Sequence, residues 1–176
     1  FVEFSKSALF SLGFSSNLYF HYDGQQYGAA SGLLKPLLHT WSLSVEEQYY
    51  LFFPIIFFIL FKFLKKYLIH FFLVGLILSV LIADWSSKTY PSISFYFLHT
   101  RIWELFAGSI LAYLEIKLGN RSENKILNSL FPFIGLVLIG FSIYFFNDRM
   151  FHPSFNSLPP VIGVSLIIWF SSKDDF

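Results

Sequence analysis

The chain has 176 residues, of which 55% are hydrophobic, 22% aromatic and only 13% charged. A soluble domain of this length needs more charge to cover its surface, so the composition excludes an ordinary soluble protein and predicts an integral membrane protein. The net charge of +1 is uninformative, and nothing in the sequence suggests a nucleic-acid partner. The lack of cysteine excludes disulfides and thiolate metal sites within this sequence.

Six apolar stretches are long enough, or nearly long enough, to cross the hydrocarbon core as helices. Pro54 lies inside the second stretch, where a membrane helix tolerates it if a neighbouring group satisfies the freed backbone carbonyl. We therefore predict an all-α, integral-membrane bundle of about six transmembrane helices. The predicted spans are residues 8–22, 44–66, 67–83, 100–116, 130–146 and 158–171.

The distribution of Lys and Arg predicts the orientation, because cytoplasmic loops carry an excess of both. If successive spans cross the membrane in opposite directions, eight basic residues lie in the loops on one side and four in the loops on the other. We therefore expect the first set to face the cytoplasm, and residues 39–48 and 101–104 to lie at the outer face. The first set is Lys6, Lys62, Lys65, Lys66, Lys117, Arg121, Lys125 and Lys173; the second is Lys35, Lys88, Arg101 and Arg149.

A cluster of polar side chains lies at residues 36–50, directly before a long apolar run. Ser44 followed by Glu47 predicts a capping box that starts the second helix, which explains Glu47 as an N-terminal carboxylate. Glu46 is not needed for that cap and is the freer candidate for hydrogen bonding or proton transfer. His39 lies about two helical turns earlier, so Glu46 could hold it as a general base; a solvated or backbone-bonded histidine is the other interpretation.

A second charged pair, Arg101 and Glu104, lies on one face of the fourth predicted span. One interpretation is a local ion pair near the membrane interface. The other is that both side chains face a polar cavity, where Arg101 presents its planar fork to a carboxylate, phosphate or carbonyl. Gly108 and Ala112 continue the Glu104 face with small side chains, so we predict that this face packs against another helix.

We predict that His39, Glu46, Arg101 and Glu104 converge on one polar site near the outer surface. Convergence would pair Arg101 with a carboxylate and lower the cost of keeping charges at the edge of the hydrocarbon. The alternative is two separate interfacial sites, one of capping carboxylates and one with Arg101 paired to Glu104. The other histidines lack charged neighbours in the sequence and are interpreted as structural; they are His21, His70, His99 and His152.

Residues 36–51, Pro-Leu-Leu-His-Thr-Trp-Ser-Leu-Ser-Val-Glu-Glu-Gln-Tyr-Tyr-Leu, followed by Pro54, resemble the signature stretch of the bacterial acyltransferase family 3 membrane proteins. These include the O-antigen and surface-glycan O-acetyltransferases. Residues 95–109 are similar to the family's Arg-x-Trp-Glu segment, residues 11–20 to the helix before the signature, and residues 158–163 to its late proline-glycine helix.

The resemblance implies a multi-pass enzyme of the bacterial inner membrane that transfers an acetyl or other acyl group. The donor would be cytoplasmic acyl-CoA, as a substrate and not a tightly bound cofactor. The acceptor would be a hydroxyl of a lipid-linked or surface polysaccharide, such as the O-antigen of lipopolysaccharide. His39 and Glu46 are then candidate catalytic residues, and the candidate substrate-binding residues are Trp41, Glu47, Arg101 and Glu104; an interfacial aromatic belt is the other interpretation of Trp41.

The family's N-terminal Arg, its main catalytic His and its Arg-rich cytoplasmic motif have no counterpart in residues 1–7. We therefore expect residues 1–176 to be the middle of one acyltransferase-type membrane domain and, alone, an incomplete catalyst. The rival class is a transporter or flippase of a polar or glycan-linked substrate, because polar residues inside a helical bundle also serve solute pathways. A non-catalytic scaffold is the third. No metal-type spacing of His and carboxylates is present.

Overall fold

The computed structural model describes residues 2–25, 32–118, 124–147 and 150–171, without the side chain of residue 33. All regular structure in these ranges is helical, which confirms the predicted all-α class. Short 3₁₀ turns cover Gly32–Leu34, Lys65–Tyr67, Leu98–Thr100 and Phe155–Ser157. The α-helices of the described ranges are α1 (Val2–Leu12), α2 (Ser16–Asp23), α3 (Thr40–Phe63), α4 (Leu68–Thr89), α5 (Pro91–Tyr96), α6 (Ile102–Leu118), α7 (Lys125–Phe145) and α8 (Leu158–Phe170).

Three helical stretches in the described ranges are long and apolar enough to cross a membrane: Thr40–Phe63, Lys65–Thr89 and Lys125–Phe145. Large apolar side chains on these helices face outward; Leu51 and Phe58, for example, are each 65% exposed. Such surfaces suit a lipid environment and not water. The prediction of about six spans is thus confirmed in part, and a crossing by the shorter α6 and α8 stays a prediction.

The first predicted span is wrong, because residues 8–22 do not form one helix. The chain turns at Gly13 and Phe14, and Phe14 adopts a left-handed conformation with φ of 51°. Phe10 of α1 stacks on Tyr19 of α2 with ring centroids 5.0 Å apart, and the Tyr19 hydroxyl reaches the carbonyl oxygen of Glu3 at 3.5 Å. α1 and α2 therefore fold back on each other as a short hairpin.

This hairpin also changes the predicted orientation of the N-terminal segment. Glu3 lines a cavity of about 260 Å³ together with Asp23 and Lys35, which form an ion pair with each other. The start of α1 therefore lies on the same side as the loop before α3, and not on the opposite face. Lys6 moves to the second set of basic residues, so the asymmetry falls to seven against five; its sign is unchanged.

The predicted capping box is also wrong, because α3 begins at Thr40 and Ser44 lies inside the helix. Ser44 is 1% exposed, and its hydroxyl shares a 2.7 Å hydrogen bond with the hydroxyl of Ser16 on α2. The Thr40 hydroxyl donates to Ser16 Oγ at 3.0 Å and shares a 2.8 Å bond with Ser11 on α1. Hydroxyl contacts of this kind join helices where apolar burial gives little driving force.

An apolar core joins α3, α4 and α6. Tyr49, Leu68, Phe72 and Phe106 are each at most 6% exposed and form one cluster. The Tyr49 hydroxyl shares a 2.8 Å hydrogen bond with Ser109 on α6, which gives its polar atom a partner inside the bundle. This core holds the ends of α3 and α6 together, and those ends carry the candidate site.

α8 packs mainly on α7, at a crossing of two glycines. A methyl group added to Gly135 would lie 2.5 Å from the Gly163 carbonyl oxygen, and one added to Gly163 would lie 2.6 Å from that of Gly135. The small-residue face predicted on α6 is wrong, because Gly108 and Ala112 are exposed and a methyl group on Gly108 meets nothing within 4 Å. The close helix contact therefore lies between α7 and α8, and not on the face of α6 that the sequence pattern indicated.

The helices run so that one end of the bundle gathers lysines from the α3–α4 junction, the end of α6 and the start of α7. We refer to this as the lysine end; Arg121 and Lys173 lie outside the described residues. The opposite end contains the start of α3, the segment between α4 and α6, and the connection between α7 and α8. The lysines are Lys62, Lys65, Lys66, Lys117 and Lys125.

Candidate functional site at the end opposite the lysines

The segment between α5 and α6 is folded so that it presents Arg101 at its end. α5 stops at Tyr96 because Phe97 is extended, with φ of −99° and ψ of 145°. Thr100 is fully buried, and its hydroxyl donates to the carbonyl oxygens of Ser94 at 2.7 Å and Phe97 at 2.8 Å. These bonds fix the turn that precedes Arg101, so the position of its backbone is well defined.

The guanidinium of Arg101 lies beside two aromatic rings, Trp41 and Phe95, which contact each other with 4.5 Å between their centroids. It is 4.7 Å from the centroid of the Trp41 ring and 5.3 Å from that of Phe95. Arg101 Nε also donates to the carbonyl oxygen of Phe95 at 3.1 Å. Because a planar guanidinium stacks on aromatic faces while its edge hydrogen-bonds, these contacts hold the side chain in one orientation. Trp41 is thus a direct partner of Arg101.

Arg101 and Glu104 form a loose ion pair, with 3.9 Å between Arg101 Nη1 and Glu104 Oε1. Their side chains are 21% and 32% exposed, so both retain access to a ligand. Among the described residues, neither Nη group has a hydrogen-bond partner within 3.5 Å. The fork is therefore oriented by Trp41 and Phe95 but still has donors to offer to a carbonyl, carboxylate or phosphate.

The structure does not bring His39 or Glu46 to this cluster. Both side chains are exposed, and neither makes a hydrogen bond or ion pair with another described residue. They are seven residues apart on a continuous helical path, a rise of about 10 Å, which is too far for a direct contact. The inner face of α3 is instead defined by Val45 and Tyr49. The predicted four-residue convergence is absent here, and the catalytic roles of His39 and Glu46 stay predictions.

Gln48, which follows the two carboxylates, is a contact residue that the sequence analysis missed. Its amide donates to the carbonyl oxygen of Phe14 at 2.8 Å and to Asn17 Oδ1 at 2.9 Å. Asn17 is 1% exposed and donates in turn to the Tyr96 carbonyl oxygen at 3.0 Å. This chain of bonds ties α2, α3 and α5 together beneath the Arg101 cluster. Glu47 is half-buried, and its substrate-binding role remains a prediction.

A cavity of about 690 Å³ adjoins the cluster on the side of α5. Phe95 lines it, so the ring that contacts Trp41 and lies beside Arg101 is also part of the cavity wall. The lining comes from the end of α4, from α5, and from the connection between α7 and α8. The lining residues are Ser87, Pro91, Ser92, Phe95, Tyr96, Phe146, Asn147, Met150, Phe151 and His152.

His152, interpreted from sequence as structural, is a titratable group of this cavity. Burial lowers the pKa of His152 below its ordinary value, and the positive charge of Arg101 lowers it further. An influence of Arg101 on this ring means that the two groups are close enough to share one electrostatic environment. Nothing in the sequence indicated this proximity, because 51 positions separate the two residues.

A second histidine, His21, is buried next to the cavity and contacts one of its lining residues, Ser92. It is 4% exposed, and its Nδ1 is 2.9 Å from the hydroxyl of Ser92, which lines the cavity. Gln25 lies 3.1 Å from His21 Nε2, and the ring packs edge-on against Phe97. These contacts make His21 a buried positioning group. Among the described residues, no three His, Asp or Glu side chains lie close enough together to hold a metal ion.

The fold and site define a class: a helical membrane protein with a stacked arginine, a carboxylate and a polar cavity at one end of its bundle. The family model described as acyltransferase domain (acyltransferase 3) matches residues 7–174. The chain belongs to this acyltransferase family. No solved structure matches the chain significantly.

The chain is similar to a protein of unknown function and to proteins named as O-acetyltransferases. A protein of unknown function from Haemophilus influenzae is 28% identical over 184 residues, covering 99% of this chain and 74% of the relative. The peptidoglycan O-acetyltransferase OatA of Listeria monocytogenes is 33% identical over 114 residues, covering 61% of this chain and 18% of the relative. A putative O-acetyltransferase of Staphylococcus aureus is 35% identical over 119 residues, covering 61% and 20%. The match therefore spans only about a fifth of the named O-acetyltransferases.

Proposed function

We propose that the chain forms part of an O-acyltransferase, which moves an acyl group from acyl-CoA on the cytoplasmic side to a hydroxyl of a cell-surface glycan. The acyl group that we propose is acetyl. The lysine end would face the cytoplasm of a bacterial inner membrane, and the Arg101 end would face outward. This orientation is supported by the seven-to-five distribution of basic residues.

The observation that carries the proposal is the Arg101 fork, which Trp41 and Phe95 hold in place and which leaves its Nη groups with donors to offer. In the transfer step at the outward end, the acceptor hydroxyl attacks the carbonyl of the acyl group and its proton passes to a base. The bond between the acyl group and the group that brought it from the cytoplasmic side breaks, and that group leaves with the electron pair. Negative charge develops on the carbonyl oxygen in the transition state. An oriented guanidinium is suited to stabilise that charge or to hold the acceptor beside the carbonyl.

Glu104 contributes to the same proposal by keeping the arginine charge balanced. At 3.9 Å it attracts Arg101 without occupying the fork as a bidentate partner would. A ligand oxygen can therefore bind between the two side chains without first breaking a short ion pair. This separates the roles: Arg101 contacts the substrate, and Glu104 positions Arg101 or accepts a hydrogen bond from an acceptor hydroxyl.

Transfer is tested with the complete gene product in sealed vesicles, supplied with labelled acetyl-CoA on one side and with the glycan on the other. We expect acetyl esters on the glycan from the wild type. Arg101→Lys keeps the charge but loses the planar fork, so we expect a fall in transfer of about tenfold or more. Lys88→Arg is the control, because Lys88 is an exposed residue of the same end that pairs with Asp84.

Two results would count against this function. Movement of the glycan across the vesicle membrane without ester formation would favour the transporter class instead. Equal transfer by Arg101→Lys and by the wild type, with both proteins equally folded, would remove the fork from the mechanism and leave only its charge.

A further inference from the structure

We propose that the 690 Å³ cavity is a carbohydrate-binding cleft, which holds a sugar ring of the acceptor between aromatic side chains, with His152 and Ser92 hydrogen-bonding its hydroxyls. We call it the aromatic cleft. The inference rests on the proposed function, since it names the place where the glycan acceptor binds. Nothing in the family match or in the names of relatives assigns a role to these residues.

The lining combines two kinds of surface that sugars require together. Phe95, Tyr96, Phe146 and Phe151 supply aromatic rings, on which the C–H face of a pyranose can pack. Ser92 and His152 supply hydroxyl and imidazole groups for the ring hydroxyls. A volume of about 690 Å³ is in the range of small-molecule sites.

The polar groups also argue against a hydrocarbon chain as the occupant. A lipid tail in this cleft would desolvate the Ser92 hydroxyl and the His152 imidazole without offering either a hydrogen bond, at a cost in binding free energy. The neighbouring groove of about 550 Å³ between α6 and α8 is different. It is lined almost wholly by apolar side chains and is the better place for lipid.

His152 is equipped to bind a hydroxyl rather than an anion. Because burial and Arg101 both depress the pKa of His152, the ring is neutral near pH 7, with one donor and one acceptor nitrogen. Nδ1 lies 3.4 Å from the Ser157 hydroxyl, and the ring packs on Phe146 at 4.9 Å. Among the described residues, the other ring nitrogen has no hydrogen-bond partner. A sugar hydroxyl, which both donates and accepts, suits it.

Ser92 on the opposite wall is held in place before a ligand arrives. It lies in the first turn of α5, and His21 holds its hydroxyl through the 2.9 Å contact at Nδ1. Since His21 is buried and also contacted by Gln25, the Ser92 hydroxyl loses little freedom on binding. Both α5 and the α7–α8 connection therefore contribute a polar group and aromatic rings to the cleft.

The cleft is placed to deliver a sugar hydroxyl to the Arg101 cluster. Phe95 belongs to both, because it lines the cleft and also contacts the guanidinium at 5.3 Å. A ring stacked in the cleft thus lies one aromatic side chain away from the group that we propose to stabilise the acyl carbonyl. This arrangement predicts that cleft variants weaken the use of the acceptor.

The experiment measures oligosaccharide binding and acyl transfer with the same purified, complete gene product. Binding of chitobiose, maltose and a disaccharide of N-acetylglucosamine and N-acetylmuramic acid is followed by saturation-transfer NMR. Phe151→Ala is the main variant, because Phe151 is 49% exposed and its removal leaves the core intact. We expect wild type to bind at least one sugar, and Phe151→Ala to weaken binding and raise the acceptor KM by about tenfold.

Phe155→Ala is the matched control, since Phe155 is 46% exposed in the same connection but does not line the cleft. His152→Ala is a second test, with His99→Ala as its control at an exposed site of the same end. Hydrolysis of acyl-CoA without acceptor should be equal in the wild type and in the two control variants, Phe155→Ala and His99→Ala. The expected pattern is a loss confined to Phe151→Ala and His152→Ala.

The outcomes separate this proposal from the proposed function. Sugar binding that depends on Phe151, in a protein that transfers no acyl group, would uphold the cleft and refute the acyltransferase function. Acyl transfer with an unchanged acceptor KM in both cleft variants would uphold the function and refute the cleft. Failure of the wild type to bind any of the three sugars would overturn the cleft directly.

Discussion

The glycine crossing of α7 and α8 gives a stability prediction whose size follows from the structure. In Gly135→Ala, the new methyl carbon would lie 2.5 Å from the Gly163 carbonyl oxygen and 2.9 Å from Ile167 Cγ1. Ordinary contacts begin at 3.4 Å, so the two helix backbones must separate by about 1 Å. Since the first obstacle is backbone and not a flexible side chain, a change of rotamer cannot relieve it.

Gly140→Ala provides the matched control on the same helix, because a methyl group there meets nothing within 4 Å. Both substitutions gain about the same helix propensity, roughly 1 kcal/mol, so this term cancels in the comparison. What remains is the overpacking at Gly135, which typically costs about 1–3 kcal/mol. For a chain of this size, the difference corresponds to roughly 2–12 °C in the midpoint of thermal unfolding.

The midpoints are measured on detergent-purified proteins by static light scattering or by near-ultraviolet circular dichroism. We expect Gly135→Ala to unfold at a lower temperature than wild type, and Gly140→Ala at the same or a higher temperature. Equal midpoints for the two variants would refute the close backbone contact. Gly163→Ala should behave like Gly135→Ala, because its methyl group would lie 2.6 Å from the Gly135 carbonyl oxygen.

Three further predictions concern polar contacts. Tyr49→Phe should lower the free energy of unfolding by about 1 kcal/mol, because it removes the bond to Ser109; the effect should vanish in a Ser109→Ala background, as a double-mutant cycle would show. Ser44→Ala should lower the free energy of unfolding in urea by about 0.5–1.5 kcal/mol. An unchanged free energy would show that the hydroxyl network does not stabilise the fold. His152→Gln should reduce the pH dependence of stability. In the folded protein the pKa of His152 lies below its ordinary value of 6.5, so the wild type loses stability as the pH falls from 6.5 toward the folded pKa. The unfolding midpoints of the variant should vary less over that range.

The long apolar helices could be predicted from the sequence because hydropathy alone decides them. α3, α4 and α7 fall close to the predicted spans. The prediction of one span over residues 8–22 was wrong because the mean hydropathy of a stretch does not reveal a tight turn, such as the one at Gly13 and Phe14. The start of α3 was predicted wrongly for a related reason. The Ser44 hydroxyl is hydrogen-bonded to Ser16, 28 positions away, and a capping motif considers only residues within one helical turn.

Part of the candidate site could also be predicted. Arg101 and Glu104 do form a pair, as their spacing of three residues indicated. The stacking of Arg101 on Trp41 joins residues 60 positions apart, and no local pattern encodes it. His39 and Glu46 do lie on one side of a helical path, but that side faces outward because Val45 and Tyr49 take the inner face. His152 was missed because it enters from the α7–α8 connection.

The two walls of the aromatic cleft belong to different parts of the bundle. One wall comes from α4 and α5, which are anchored to the core of α3 and α6; the other comes from the connection of the α7–α8 pair. That pair is locked internally by Gly135 and Gly163, yet its seam with α6 is flanked by open grooves of about 550 and 340 Å³. The α7–α8 pair is therefore one tightly packed unit whose contact with α6 is interrupted by these grooves, and a displacement of that unit relative to α6 would change the width of the cleft.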